Sequence, residues 1–145
     1  MDIATLFERD LNKLVTEINL YNDEKDLWKI KEGISNSAGN LALHLIGNLN
    51  YFIGTILDDN HYVRDRDKEF SEKNIPRTTL VEELQNIIPL IKNTLPKIAA
   101  EALKKDFPVP LAGNMLSTEA TLVYLLAHFN YHLGQVNYHR RILDI

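Results

Sequence analysis

The chain predicts an all-α protein, a four-helix bundle, and three observations carry that expectation. Four segments, over residues 2–20, 37–57, 79–98 and 117–143, repeat apolar residues at three- and four-residue intervals. No segment alternates apolar and polar residues as a half-buried strand does, and none repeats another. The connector from Asp58 to Pro76 is long for a bundle loop, long enough to run along a helix and start the next one at its far end.

The bulk numbers set the class. With 145 residues, 45% hydrophobic and 25% charged, the chain reads as one domain, 1–145, with enough apolar surface for its own core. A net charge of -4 argues against a nucleic-acid surface, which normally carries a basic stripe. There is no cysteine, so disulfides and thiolate metal sites are excluded and any metal is held by nitrogen and oxygen. The first ten residues lack an apolar signal core. The longest apolar region, Leu41 to Leu57, carries His44, Asn48 and Asn50 and does not read as a membrane span. No membrane partner is expected, and a cytoplasmic location is the default.

The first helix, residues 2–20, sets Ile3, Leu6, Phe7, Leu11, Leu14, Val15 and Ile18 on one face and Glu8, Arg9, Lys13 and Glu17 on the other. Tyr21 to Asp26 breaks it. In the connector that follows, Trp28 is expected to plug one end of the core. Ser35 to Ser37 supplies N-caps for the second helix, which runs to about Leu57 with an apolar stripe of Leu41, Leu45, Leu49, Phe52 and Ile56. Beside it runs a polar stripe at strict four-residue spacing: Asn36, Asn40, His44 and Asn48. In the long connector, His61 reads as solvated and Arg64-Asp-Arg66-Asp as a self-paired charge cluster.

Thr79-Leu-Val-Glu82 fits a capping box and is expected to open the third helix, with Leu80, Leu84, Ile87, Ile88, Ile91, Leu95 and Ile98 inward. Pro89 and Pro96 interrupt that segment, so it either bends or divides, and their seven-residue spacing on one side favours a bend. Phe107 to Asn114 reads as extended loop. Ser117 or Thr118 caps the fourth helix, whose core stripe is Leu122, Leu125, Phe129, Leu133, Val136 and Ile142.

The fourth helix also holds three of the five histidines. His128 and His132 lie about 40° apart on one face, one turn along the axis, a spacing that lets two imidazoles converge on one ion. His139 lies about 10 Å further along by the helical rise and is too distant to share it, which leaves a rim or interface role. A third ligand must come from elsewhere, and His44 is the candidate. The amides of Asn40, Asn48 and Gln135 suit contacts with ring N–H groups or bound water. No acidic residue falls beside the histidine line at helical spacing, which weakens a plain hydrolase reading. Tyr51, Tyr124 and Tyr131 read as packing residues.

The segments Asn36-Ser37 into Leu-Ala-Leu-His44-Leu-Ile-Gly-Asn48, Arg64-Asp-Arg-Asp-Lys-Glu-Phe70, and His128-Phe-Asn-Tyr-His132-Leu-Gly-Gln135 together resemble the DinB-like family (the DinB/YfiT superfamily), in order and spacing over nearly the whole chain. The resemblance implies a bundle of up-down-down-up connectivity, with the long crossover between helices 2 and 3. It implies a divalent metal, zinc or nickel, on His44, His128 and His132. It also implies a homodimer. Family activities include transfer of a low-molecular-weight thiol (bacillithiol or mycothiol) to a small electrophile, and maleylpyruvate isomerisation. Two function classes follow: a metal-dependent transferase, or a non-catalytic bundle that binds a metal, a ligand or a partner in a stress response.

Overall fold

The computed structural model describes residues 2–145, and these residues are helical apart from loops and two isolated bridges, Asp106 to Ser117 and Leu111 to Asn114. α1 spans Ile3–Leu20 and is capped by the Asp2 carboxylate, which accepts from the Thr5 amide. A 3-10 turn, Glu24–Trp28, follows. α2, Ala38–Leu49, is capped by the Ser37 hydroxyl and continues as a π-helical segment, Asn50–Leu57, where the Asp58 amide bonds back to Ile53. α3, Arg66–Ser71, lies inside the predicted loop, and α4 spans Arg77–Thr94. A 3-10 turn, Leu95–Lys97, and a short α5, Ala100–Leu103, lead to α6, Thr118–Leu143.

The two prolines act differently. Pro89 sits inside α4 on an exposed side, whereas Pro96 opens the 3-10 turn, so the helix stops at Thr94 instead of bending on to Ile98. The predicted capping box is also absent. α4 begins at Arg77 behind Pro76, and the Thr79 amide is already inside the first turn, bonded to the Pro76 carbonyl. A proline fixes φ near the helical value, so it starts the helix without a side-chain cap.

α1 packs on α4 and α6, and α2 packs on the same two helices from the other side. Between them lie Phe7, Leu11, Leu14 and Ile18 of α1, Leu45 and Leu49 of α2, Leu80, Leu84 and Ile91 of α4, and Leu125, Phe129 and Val136 of α6. Ile142, expected in this stripe, is 48% exposed, because six residues past buried Val136 it lies about 120° round the helix from the buried line. Polar clamps fix α6 against α1. Asn130 donates to buried Asp10 at 2.7 Å, and Asn137 and Arg140 donate to Glu17 at 2.7 and 2.8 Å. Their seven-residue spacing repeats the contact two turns on. No helix among the described residues is long and apolar enough to cross a membrane.

Trp28 half-covers the end of the core, as expected, and it does so over Gly39. A Cβ at Gly39 would fall 2.6 Å from the indole ring. Alanine there gains about 1 kcal/mol of helix propensity but overpacks the ring at a typical cost of about 1–3 kcal/mol. Gly39→Ala is therefore expected to lower the melting temperature by a few degrees and shift the emission of Trp28, the only tryptophan. An unchanged or raised melting temperature would show that the indole moves freely.

Candidate metal centre

His128 and His132 face α2 from one side of α6, and His44 meets them from α2. The three rings stand nearly edge-on to one another, with centroids 4.6 to 5.2 Å apart. One ligating nitrogen from each lies within 4.8 Å of the others. The spacing of His128 and His132 and the position of His44 thus do what the sequence suggested: residues 84 apart in the chain are brought to one point.

Outer hydrogen bonds fix which nitrogen each ring presents. His44 Nδ1 lies 3.0 Å from Glu69 Oε1, and an ionised carboxylate only accepts, so Nδ1 carries a proton and Nε2 is the nitrogen turned towards the other rings. His132 Nδ1 is 2.7 Å from the Gln135 amide oxygen, with the same consequence. His128 Nε2 stands 3.1 Å from His44 Nε2, and its Nδ1 is buried with no hydrogen-bond partner. Lone pairs converging in a half-buried space repel unless a proton or a cation lies between them. Two nitrogens about 2.1 Å from one zinc ion lie about 3.0 Å apart at a right angle and about 3.4 Å apart at a tetrahedral one, which brackets the observed 3.1 Å. The residues present therefore fit a divalent ion, held by neutral imidazoles.

Electrostatics favour that neutral state at His128 and His132. Burial, then the neighbouring His132 and His44 and the cations Arg64 and Arg66, push the His128 imidazole down to about 4. Burial and His44 also lower His132, against a smaller raising effect of the Gln135 bond. A divalent ion thus meets few competing protons at neutral pH.

Glu69 is the functional residue that sequence reasoning missed. It stands in α3, which the sequence showed only as connector, so no helical spacing links it to the histidines. Arg64 grips it at both oxygens, Nε to Oε2 at 2.8 Å and Nη2 to Oε1 at 2.9 Å. Burial alone would raise this carboxyl, but the bonds from His44 and Arg64 and the Arg64 charge outweigh it and hold it below the ordinary carboxylate value. Arg64 is therefore not paired with Asp65 or Asp67, as the charge-cluster reading expected; it serves Glu69. Arg66 lies over the Phe70 ring at 5.4 Å, and Phe70 in turn packs 5.0 Å from His44. Gly47 makes room for the carboxylate, since a Cβ there would fall 1.9 Å from Glu69 Oε2.

Of the three expected supporting amides, Gln135 touches a histidine and the other two do not. Asn40 donates to the Glu69 and Glu72 carbonyls at 3.0 and 2.8 Å, so it anchors α3 and acts on His44 only through Glu69. Asn48 is buried with its Oδ1 unpartnered and hydrogen-bonds to none of the three rings. His139 is buried, not on a rim. Its Nε2–H donates to the Lys29 carbonyl at 2.9 Å, so Nδ1 accepts from the Tyr21 hydroxyl at 2.7 Å. His61 is exposed, at a positive φ. Tyr131 is exposed and packs edge-on to His132 at 5.3 Å, while Tyr51 packs against Phe52.

A family model described as "Protein of unknown function (DUF1572)" matches residues 5–144 of the chain. No curated protein matches it.

Two predictions follow from the geometry. Glu69→Gln removes the carboxylate that orients His44, and Gly47→Ala displaces it; each is expected to weaken zinc binding by about 10–100-fold. Competition titration against a chromophoric chelator measures this, and an unchanged affinity would count against the orienting role. The second concerns acid. An unfolded imidazole protonates near 6.5, but His128 in the fold does so only near 4. Between those values the unfolded chain binds more protons, so the stability of metal-free protein is fully present above about pH 6.5 and falls as the pH drops towards 4. Chemical denaturation across that range is expected to show the fall, and His128→Gln to flatten it.

Proposed function

We propose that this chain, which belongs to the DUF1572 family of proteins of unknown function, is a divalent-metal-dependent transferase that joins a low-molecular-weight thiol to a small electrophile. His44, His128 and His132 hold the ion, with zinc or nickel the best match to three imidazole donors. The reading extends to the up-down-down-up bundle of the DinB-like proteins, which the packing of α1 and α2 on both α4 and α6 supports.

The observation that carries the proposal is the donor set. Three neutral imidazoles are the protein ligands of catalytic, not structural, sites, which keep a coordination position for water or substrate. A divalent ion so held supplies a Lewis acid that stabilises a thiolate near neutral pH. The thiol comes from solution, because the chain has no cysteine. The protein's own contribution is positional. Glu69 and Gln135 orient two rings, and the low proton affinity of His128 keeps its ligating nitrogen free. Phe70 packs 5.0 Å from the His44 ring, centroid to centroid, and supports it from the side of α3. A hydrolase reading is weaker. The nearby carboxylate faces the outer nitrogen of His44 and is locked to Arg64, so it is not free to take a proton from water.

Protein purified without chelator is expected to carry about one divalent ion per chain by elemental analysis, and His132→Ala to lose it. Low-molecular-weight thiols paired with epoxides, alkyl halides and quinones should show turnover that disappears on chelation and returns with metal. Stoichiometric metal without turnover on such a panel would favour the alternative, a non-catalytic metal- or ligand-binding bundle.

A further inference from the structure

We infer that a cavity behind His132 binds a small uncharged molecule with an apolar body and a hydroxyl or amide group, and that Gln135 couples its occupancy to the metal centre. The coupling rests on the proposed metal reading, whereas the binding site stands without it.

The cavity, of about 270 Å³, lies between the loop that leads into α2 and the C-terminal half of α6. It sits about one turn on from the histidines: Leu41 stands three residues before His44, and Gln135 three after His132. Gln135 is the shared wall. Its Oε1 accepts from His132 Nδ1 at 2.7 Å, which leaves the amide Nε2 for an occupant of the cavity. Because Nδ1 is the ring nitrogen turned away from the candidate ion, a molecule held here does not compete for coordination.

The lining decides the class of ligand. None of its nine residues is Asp, Glu, Lys or Arg, although those types make up 25% of the chain. An ion entering the cavity would lose water and gain no counter-charge, so the site selects against ions. Ile34, Leu41, Ile142 and the Tyr138 ring supply apolar surface, while Ser35 and Asn36 bring a hydroxyl and a carboxamide. His139 adds wall without adding a proton. Its Nε2–H donates to the Lys29 carbonyl and its Nδ1 accepts from the Tyr21 hydroxyl, so both nitrogens are spent. Burial lowers its proton affinity, and the ring stays neutral at neutral pH.

The loop is set in advance. The Ile34 amide bonds back to the Lys31 carbonyl at 2.9 Å, with Gly33 at φ 85°, where a side chain would be strained. Just beyond it, the buried Ser37 hydroxyl is tied to Asn40 and anchors the loop to α2. A pocket already formed costs its ligand less ordering. A dry cavity of about 150 Å³ holds benzene, so this one has room for a phenyl ring and a two-carbon arm.

A matched set of probes tests the site: 2-phenylethanol, phenylacetate and phenethylamine share one body and differ in charge. Each is titrated into the 15N-labelled full chain, metal-free and zinc-loaded. The alcohol is expected to bind with a Kd of roughly 1–10 mM, the range for about ten heavy atoms, and at least fivefold tighter than either ion. The shifted amides should centre on Ser35, Asn36 and Gln135. Asn36→Asp places a carboxylate in the lining just before the N-cap, where the positive end of α2 tolerates it. It should weaken the alcohol and strengthen the amine, each at least threefold. Ser35→Trp fills the space and should abolish saturable binding of all three. By reciprocity, zinc-loaded and metal-free protein should differ at least twofold in affinity for the alcohol, and Gln135→Ala should remove the difference. Shifts scattered over the surface, an ion bound as tightly as the alcohol, or an unchanged preference in Asn36→Asp would overturn the site. Equal affinities with and without zinc would overturn the coupling. A chain that binds the alcohol but no zinc would support the site and overturn the metal reading, and the coupling with it.

Discussion

One imidazole from α2 and two from α6 meet because α2 is buried almost all round, with every residue from Ala38 to Leu49 except Leu43 out of solvent. Burying a polar stripe so deep is costly unless its groups find partners; Asn40 and His44 do, and only the Asn48 Oδ1 is left without one. α4 and α6 cover the apolar sides of α2, and α3 covers the flank that carries Asn40 and His44. Asn40 takes two carbonyls of the α3 segment, and His44 takes its carboxylate. The metal-ready geometry is thus a by-product of satisfying a polar stripe: the partner that satisfies His44 on one nitrogen aims the other at His128 and His132.

The Arg64–Glu69 pair shows the cost of this arrangement. Both side chains are largely out of solvent, and a buried ion pair is often no more stable than an apolar replacement of the same volume. Removing one member is another matter, because the survivor is left charged and unpaired. What the pair adds is definition. Two bonds from one guanidinium allow the carboxylate a single orientation, and that orientation sets the plane of the His44 ring. Gly47 belongs to the same device, since any side chain there would occupy the carboxylate's space.

The parts of this molecule legible in its sequence are those governed by helical period. The inward stripes of α1, α2, α4 and α6, the Ser37 and Ser117 caps and the pairing of His128 with His132 all depend on residues within a turn or two of one another. Glu69 was illegible because its link to His44 spans 25 positions through a connector whose short helix has too few residues to show a period. Arg64 misled for a related reason. Adjacent Asp65 and Asp67 suggest local pairing, but Asp65 spends its carboxylate capping α3, and the guanidinium reaches a buried acid five residues on. Pro96 and Pro89 look alike in sequence. Both are exposed, and only the fold shows that one lies inside a continuing helix while the other ends it.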